Sequence, residues 1–256
     1  MQTLTLPPVN YWRDDRCAKA FWGQNELPAY RELMADTVDW LDPKPGERWV
    51  DLGCGAGRLA SALWTKSEGR VGEVIGLDLA ALNETSFAKM RASLQPSPGE
   101  RLRFQQVDFS AGLPWKEANL FDGAVSGLAI QYAESYSPQE QRWTSAAYDG
   151  LLSEVYRCLK PGGRFVFSVN VPEPSWGRVA TNALRGVFAV DRKVRYLRKL
   201  FRMWKYGAWL KREARKGRFH YLADEEITCK LAYAGFVKIE HRVSFAKQAF
   251  LFRCHK

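Results

Sequence analysis

The chain has 256 residues, of which 46% are apolar and 26% charged, enough to bury one full α/β core with an elaboration. Its net charge of +10 is uneven: from Arg185 to Arg218, thirteen Lys and Arg stand against Asp191 and Glu213, a local excess of +11. The rest is near neutral, which argues against a surface built throughout for nucleic acid. No apolar run is long enough to cross a bilayer, and the first twenty residues, with Arg13, Asp14, Asp15 and Arg16, do not read as a signal peptide. Cys17, Cys54, Cys158, Cys229 and Cys254 are odd in number and never in Cys-x-x-Cys, so neither a disulfide framework nor a zinc site is expected, and a reducing cytoplasm is the expected compartment.

In chain order, residues 1–46 read as an N-terminal segment with a helix over 27–41 that stops at Pro43 and Pro45. Its aromatics Tyr11, Trp12, Phe21 and Trp22 either close a pocket or dock the segment on the core. A first strand is predicted at 48–52, a second from Val71 to Leu79, then a helix from Ala80 to Leu94 broken by Pro96-Ser97-Pro98-Gly99. The third strand is expected over Leu102 to Val107 and the fourth within Phe121 to Ile130. A helix ending over Leu151 to Leu159 then stops at Lys160-Pro161-Gly162-Gly163 before a fifth strand, Arg164 to Val171. Asp224 to Ala234 reads as a helix closed by Gly235, and Phe236 to Val243 with Ala249 to Cys254 as a closing hairpin. Strands alternating with helices predict a Rossmann-like, doubly wound, seven-stranded mostly parallel sheet with an antiparallel last strand. Residues 47–172 and 221–256 form that domain, and 173–220 a helical lid inserted into it.

The most informative stretch runs Trp49-Val50-Asp51-Leu52-Gly53-Cys54-Gly55-Ala56-Gly57-Arg58. Glycines at 53, 55 and 57 let the backbone turn sharply and approach a ligand closely, and an apolar strand before with Leu59, Ala60, Ala62 and Leu63 after places that turn between strand and helix. A dinucleotide fingerprint needs its third glycine at position 58, which is Arg58. A dinucleotide would also bring a doubly negative pyrophosphate here, whereas S-adenosylmethionine (SAM) brings a sulfonium and an ammonium, and Asp51 suits the cations. Asp78, with Leu79 beside it, ends the second strand where a ribose should lie, and a carboxylate can accept both ribose hydroxyls. Asp108 and Phe109 end the third strand in the same way.

Asp51 with its three glycines resembles motif I of the class I SAM-dependent methyltransferases. The run from Asp108 through Leu113-Pro114-Trp115 to Phe121-Asp122, and Glu154 through Lys160-Pro161-Gly162-Gly163, are similar to signatures of the methyltransferase type 11 group, which includes the ubiquinone/menaquinone C-methyltransferases. The resemblance implies a fold holding SAM, with Asp108 taking the adenine amino group and Phe109 packing on the ring. Asp51, Gly53, Gly55, Gly57, Asp78, Leu79, Asp108, Phe109 and Ser126 are the expected cofactor residues. After the fourth strand the chain reads Ser126-Gly127-Leu128-Ala129-Ile130-Gln131-Tyr132, which differs from the quinone enzymes and lacks the Asn/Asp-Pro-Pro-Tyr/Phe motif of nucleic-acid amino methyltransferases.

The expected function is therefore methyl transfer from SAM to carbon or oxygen of a small or lipid-like acceptor. The alternatives are a non-catalytic SAM-binding or membrane-associated scaffold and, further off, an NAD-linked oxidoreductase or a nucleic-acid methyltransferase. If the acceptor must lose a proton, Tyr132 and His220 lead the candidates, with Glu134 and Tyr221 behind them, and no residues have metal-ligand spacing. Within the insertion, Val187, Val190, Val194, Leu197, Phe201, Trp204 and Ala208 recur at helical steps among Lys and Arg, which predicts a basic amphipathic helix over 187–208. Two roles stay open for it: a cap over the pocket, or a cap that also lies on an anionic membrane surface.

Overall fold

The computed structural model describes residues 10–13, 27–175 and 206–256. Nine strands occur among them: β1 (Arg48–Leu52), β2 (Glu73–Asp78), β3 (Leu102–Gln106), β4 (Phe121–Gly127), β5 (Ser135–Ser137), β6 (Arg142–Thr144), β7 (Leu159–Asn170), β8 (Val237–Ser244) and β9 (Ala249–His255). Seven form one sheet in the order β3-β2-β1-β4-β7-β9-β8, with β5 and β6 paired as a separate small hairpin. Every neighbouring pair is parallel except those made by β9, which runs antiparallel to β7 and β8. The expected sheet and its one reversed strand are therefore both present.

Helices α1 (Pro28–Trp40), α2 (Arg58–Lys66), α3 (Leu82–Ala92), α4 (Ala146–Cys158) and α5 (Asp224–Tyr233) pack around it. Alternate side chains of the strands go to opposite faces. Trp49, Val74 and Val166 meet Leu63, Trp64 and Phe87 of α2 and α3. Val50, Ile75 and Phe167 meet Leu151, Val155 and Ile227 of α4 and α5. Burying each such side chain contributes about 1.5–3 kcal/mol, so the two-sided burial of β1, β2 and β4 accounts for their near-continuous apolar sequence. Strand order reverses between β1 and β4, and in such sheets the ligand crevice lies beyond the carboxyl ends of the strands at that point.

Some elements differ from the sequence reading. Lys160-Pro161-Gly162-Gly163 is not a turn ahead of the strand. It lies inside β7 as an irregularity, because the register with β4 jumps from Phe121↔Leu159 to Gly123↔Arg164. The β5–β6 hairpin was not anticipated, since three-residue strands carry too little alternation to register; its cross-strand pair Tyr136 and Trp143 packs edge to face at 5.3 Å. Helix α1 docks Ala29 and Leu33 against Phe245 and Ala249, at the β8–β9 turn.

Of the insertion, residues 206–215 are helical. Ala208, expected in the apolar stripe, is exposed, and Gly207, Leu210 and Glu213 face inward instead, one residue round the helix. The stripe's other members, Val187 to Trp204, and also Phe21 and Trp22, lie outside the described residues. No helix among the described residues is long and apolar enough to cross a membrane.

Candidate active site

The glycine turn is fastened to the sheet by two backbone bonds, from the Gly53 and Cys54 N–H groups to the Leu77 carbonyl at 2.8 and 2.9 Å. Gly53 has φ +69°, and a Cβ there would stand 2.2 Å from the Ala129 Cβ, so only glycine lets the loop after β4 close onto the loop after β1. Gly57, at φ +80°, starts α2 with no side-chain cap of its own, and Asp51 from β1 takes the Ala60 N–H of the first turn instead.

Three carboxylates gather around the turn. Asp51 is 1% exposed; its Oδ2 accepts from the Ala60 N–H at 3.2 Å, while its Oδ1 finds no hydrogen-bond partner. Burial, with a smaller push from Asp78, raises its pKa to about 7. Asp78 is held by three donors, the Gly55 N–H (2.8 Å), the Ala80 N–H (2.9 Å) and the Asn83 amide (3.0 Å). Burial still raises its pKa, with those bonds opposing. Asp108 accepts from the Ser110 N–H at 3.1 Å and from the Asn10 amide at 3.2 Å, and Arg13 lies 3.6 Å from its Oδ2.

A solvent-open cavity runs past these loops. Gly53, Gly55, Asp78, Leu79, Asp108 and Phe109 stand in its wall, as do Arg58 and Asn83. The same cavity is lined by Trp12, Tyr30, Leu128, Tyr132, Asn170 and Phe245. Leu128 and Phe245 both hold left-handed backbone, φ +53° and +57°, a conformation that costs energy in a residue with a Cβ and clusters at functional sites. Asn170 is 1% exposed and its Oδ1 has no partner.

The remaining expected residues sit elsewhere. Asp51 and Gly57 lie behind the wall rather than in it. Ser126 is fully buried, and its hydroxyl donates to the Leu52 carbonyl at 2.7 Å, tying β4 to β1; the wall at this level is made by Gly127, Leu128 and Ala129. His220 is corrected in the same way. Its Nε2 lies 2.9 Å from the Ala133 carbonyl, its ring packs on Tyr148, and burial lowers its pKa to about 4, so it is a neutral core residue outside the cavity wall. Glu134 is engaged by Arg218 and by the Tyr11 N–H at 2.8 Å. Tyr132 does face the cavity, with its hydroxyl 3.2 Å from that of Tyr221, and burial raises the pKa of both phenols. Neither is suited to take a proton at neutral pH. Among the described residues, no group of three or more His, Cys, Asp or Glu is placed to hold a metal.

Sequence reasoning anticipated an N-terminal segment whose Tyr11 and Trp12 close a pocket or dock on the core, but not the partners that hold this strap. Tyr11–Arg13 form one short turn in which Trp12 packs on Tyr132 with ring centroids 4.7 Å apart, while Asn10 reaches Asp108. A Tyr-Trp pair followed by Arg13 was visible, but nothing local says which surface it covers. Asn170 and Phe245 were equally hidden, being a strand end and a turn residue with no motif around them.

Strand order, glycine turn and the single reversed strand are those of the class I SAM-dependent methyltransferase fold. Residues 50–167 match the family model described as a methyltransferase domain. The chain is 32% identical over 137 residues to a demethylmenaquinone methyltransferase of Symbiobacterium thermophilum, covering 54% of this chain and 46% of that protein. It is 36% identical over 153 residues to a 2-phytyl-1,4-naphtoquinone methyltransferase of Trichormus variabilis, covering 59% of each. The chain spans about half the length of the curated relatives it matches. Among solved structures, an S-adenosylmethionine-dependent methyltransferase from Mesorhizobium loti shares the fold with a TM-score of 0.56 at 23% identity, over 87% of this chain and 96% of that one.

Proposed function

We propose that the whole protein transfers the methyl group of SAM to carbon or oxygen of a planar, largely apolar acceptor. The observation that carries this is a single cavity with two characters: carboxylates Asp78 and Asp108 beside the glycine turn, and the aromatic wall of Trp12, Tyr30, Tyr132 and Phe245. Among the described residues of the wall Arg58 is the one side-chain cation, and the aromatic residues bring no carboxylate, which suits a neutral ring or a lipid-like chain over an ionic metabolite. Relatives named for naphthoquinone-type substrates support the same reading.

The residues present fit the cofactor. Asp51 offers a buried, unpartnered oxygen to an ammonium, Asp78 a fixed carboxylate to two ribose hydroxyls, Asp108 an acceptor to the adenine amino group, and Phe109 a ring face. Bound there, SAM supplies an electrophilic methyl on a sulfonium. The protein's own part is orientation and exclusion of water. Tyr132, held neutral by burial, orients an oxygen of the acceptor through its hydroxyl rather than deprotonating it, and Trp12 covers the ring stack. A dedicated base is not required of an acceptor that is already nucleophilic.

The test is to incubate the protein with methyl-labelled SAM and a panel of 1,4-naphthohydroquinone, a catechol, a long-chain carboxylate and a transfer RNA, and to follow label. Incorporation into a ring acceptor, reduced in Tyr132→Ala, is the expected result. Label entering the carboxylate or the RNA in preference to both ring compounds would refute the proposed acceptor class.

A further inference from the structure

The carboxyl end of β7 carries a polar group that the fold leaves unmet. Asn170, the last residue of that strand, lines the cavity and is 1% exposed, and its Oδ1 has no hydrogen-bond partner among the described residues. Buried carbonyl oxygens are almost always paired in native proteins, so an orphan in a cavity wall marks a place for a donor brought by a ligand. The backbone at this point is fixed. The Asn170 N–H donates to the Gln131 Oε1, the residue stands opposite Ala249 of β9, and the next N–H, of Val171, donates to the Gln248 carbonyl at 3.1 Å. Close by, the hydroxyls of Tyr132 and Tyr221 meet at 3.2 Å. The Asn170 amide opposes the effect of burial on both phenols, which marks its N–H end as their neighbour and leaves its carbonyl end for another group. Tyr132 shares the cavity wall with Asn170, whereas Tyr221 is outside that wall.

When Tyr221 donates to Tyr132, the Tyr132 proton is left to turn to the cavity, so the wall there offers one donor and one acceptor. A hydroxyl is complementary to that pair because it donates and accepts through a single atom. An ether oxygen only accepts, and would leave the Asn170 Oδ1 buried without a partner. The rings of Trp12, Tyr132 and Phe245 in the same wall supply an apolar face for the remainder of such a ligand. We propose that Asn170 is a specificity-determining residue: its Oδ1 accepts from a hydroxyl on the acceptor ring while Tyr132 donates to that same hydroxyl oxygen, so that hydroxylated rings are taken in preference to their methyl ethers. This deepens the ring-acceptor reading above and rests on it.

Calorimetry on protein saturated with S-adenosylhomocysteine tests this with two probes, 1-naphthol and 1-methoxynaphthalene, which differ in whether the oxygen can donate. Wild-type protein should bind 1-naphthol at least about tenfold more tightly than the ether. Asn170→Leu, which keeps the size of the side chain but loses its carbonyl, should bring that ratio close to unity by weakening 1-naphthol alone. Tyr132→Phe should weaken both compounds, since either oxygen accepts from the phenol, and so hold the ratio nearer its wild-type value. An unchanged affinity of both variants for S-adenosylhomocysteine checks that the cofactor loops are intact. Equal binding of the two probes by the wild type would overturn the proposal whether or not the variants fold, and so would a preference that survives in folded Asn170→Leu. A wild type that takes S-adenosylhomocysteine but neither naphthalene compound would refute the ring-acceptor reading, and the proposal with it.

Discussion

Tyr11 and Trp209 stack with ring centroids 4.1 Å apart and 27° between their planes. This contact joins the N-terminal strap, whose Asn10 and Trp12 line the cavity, to the described helical end of the insertion. Tyr11 also donates its N–H to Glu134, and Arg218 pairs with Glu134 while lying 4.6 Å over the Trp143 ring. The strap is therefore clamped from the insertion and from the hairpin side.

Loosening the clamp should be felt at the cofactor loops. An aromatic pair of this kind contributes about 0.5–1.5 kcal/mol, so Trp209→Ala should speed S-adenosylhomocysteine dissociation by up to roughly tenfold, because Asn10 then loses its hold on Asp108. Stopped-flow displacement measures this. An unchanged off-rate would mean that the strap does not close the site.

Asp78 gives the most direct test of cofactor geometry. Asp78→Ala leaves ribose hydroxyls without an acceptor and should cost about 1–3 kcal/mol of binding. The same carboxylate fastens Gly55, Ala80 and Asn83, so the melting temperature of the unliganded variant must be recorded alongside. Undiminished affinity in a folded variant would remove Asp78 from the ribose.

Asp51 makes both stability and binding depend on pH. An ordinary Asp titrates near 3.9, and this one at about 7. Between those values the folded protein keeps a proton that the unfolded chain releases, so the contribution of Asp51 to stability declines as pH rises from about 4 to about 7 and is level above, a total of roughly 4 kcal/mol. A ligand ammonium favours the carboxylate form, so S-adenosylhomocysteine should bind more tightly at pH 8 than at pH 6 and release a proton to buffer. Asp51→Asn should weaken binding and abolish that proton release. Calorimetry in buffers of different ionisation enthalpy reads it, and equal proton release from wild type and variant would exclude Asp51 as the source.

His220 contributes with the opposite slope. Its pKa is about 4 in the fold against about 6.5 when free. The unfolded chain binds the proton first, so the stability His220 provides is complete above pH 6.5 and is lost as pH falls towards 4. His220→Ala should remove a buried ring and its bond to Ala133, costing on the order of 2–4 kcal/mol, while the folded fraction keeps its kcat/KM. A turnover loss far beyond the loss of folded protein would return His220 to the reacting centre.

The basic segment is open to test from its charge alone. If it meets an anionic membrane, the wild-type protein should sediment with phosphatidylserine vesicles at low salt and release as salt rises, and Arg195→Glu with Arg198→Glu, Arg202→Glu and Lys205→Glu should abolish it. Wild-type protein that stays in the supernatant at low salt would leave the segment without a membrane role.

What the sequence made legible follows from how local each signal is. β1, β2 and β4 are apolar runs ended by glycine or an acid, and Asp51, Gly53, Gly55 and Asp78 stand at fixed offsets from the ends of β1 and β2, so pattern reading reaches them; Asp108 stands likewise just after β3. Ser126 was misjudged because pleat alternation decides whether a strand-end hydroxyl meets the cavity or the neighbouring strand, and here it meets Leu52. His220 failed for a related reason: adjacency to a cavity-lining region does not tell which way a ring turns. Asn10, Trp12, Asn170 and Phe245 meet only after the chain has folded, and no short-range pattern encodes such meetings.

The placement of Phe245 has a further consequence. It stands in a turn whose residues Phe245, Ala246 and Lys247 all have left-handed backbone, φ +57°, +51° and +64°, between the last two strands, yet it shares a cavity wall with Asn10. The pocket therefore comes into being only after segments more than two hundred positions apart have met, and a chain stalled before its closing hairpin docks has no pocket to fill. A nucleoside that fits would act on the whole molecule's survival rather than on one loop: it should slow proteolysis at sites far from the crevice, which makes resistance to protease a readout of occupancy without any methyl acceptor.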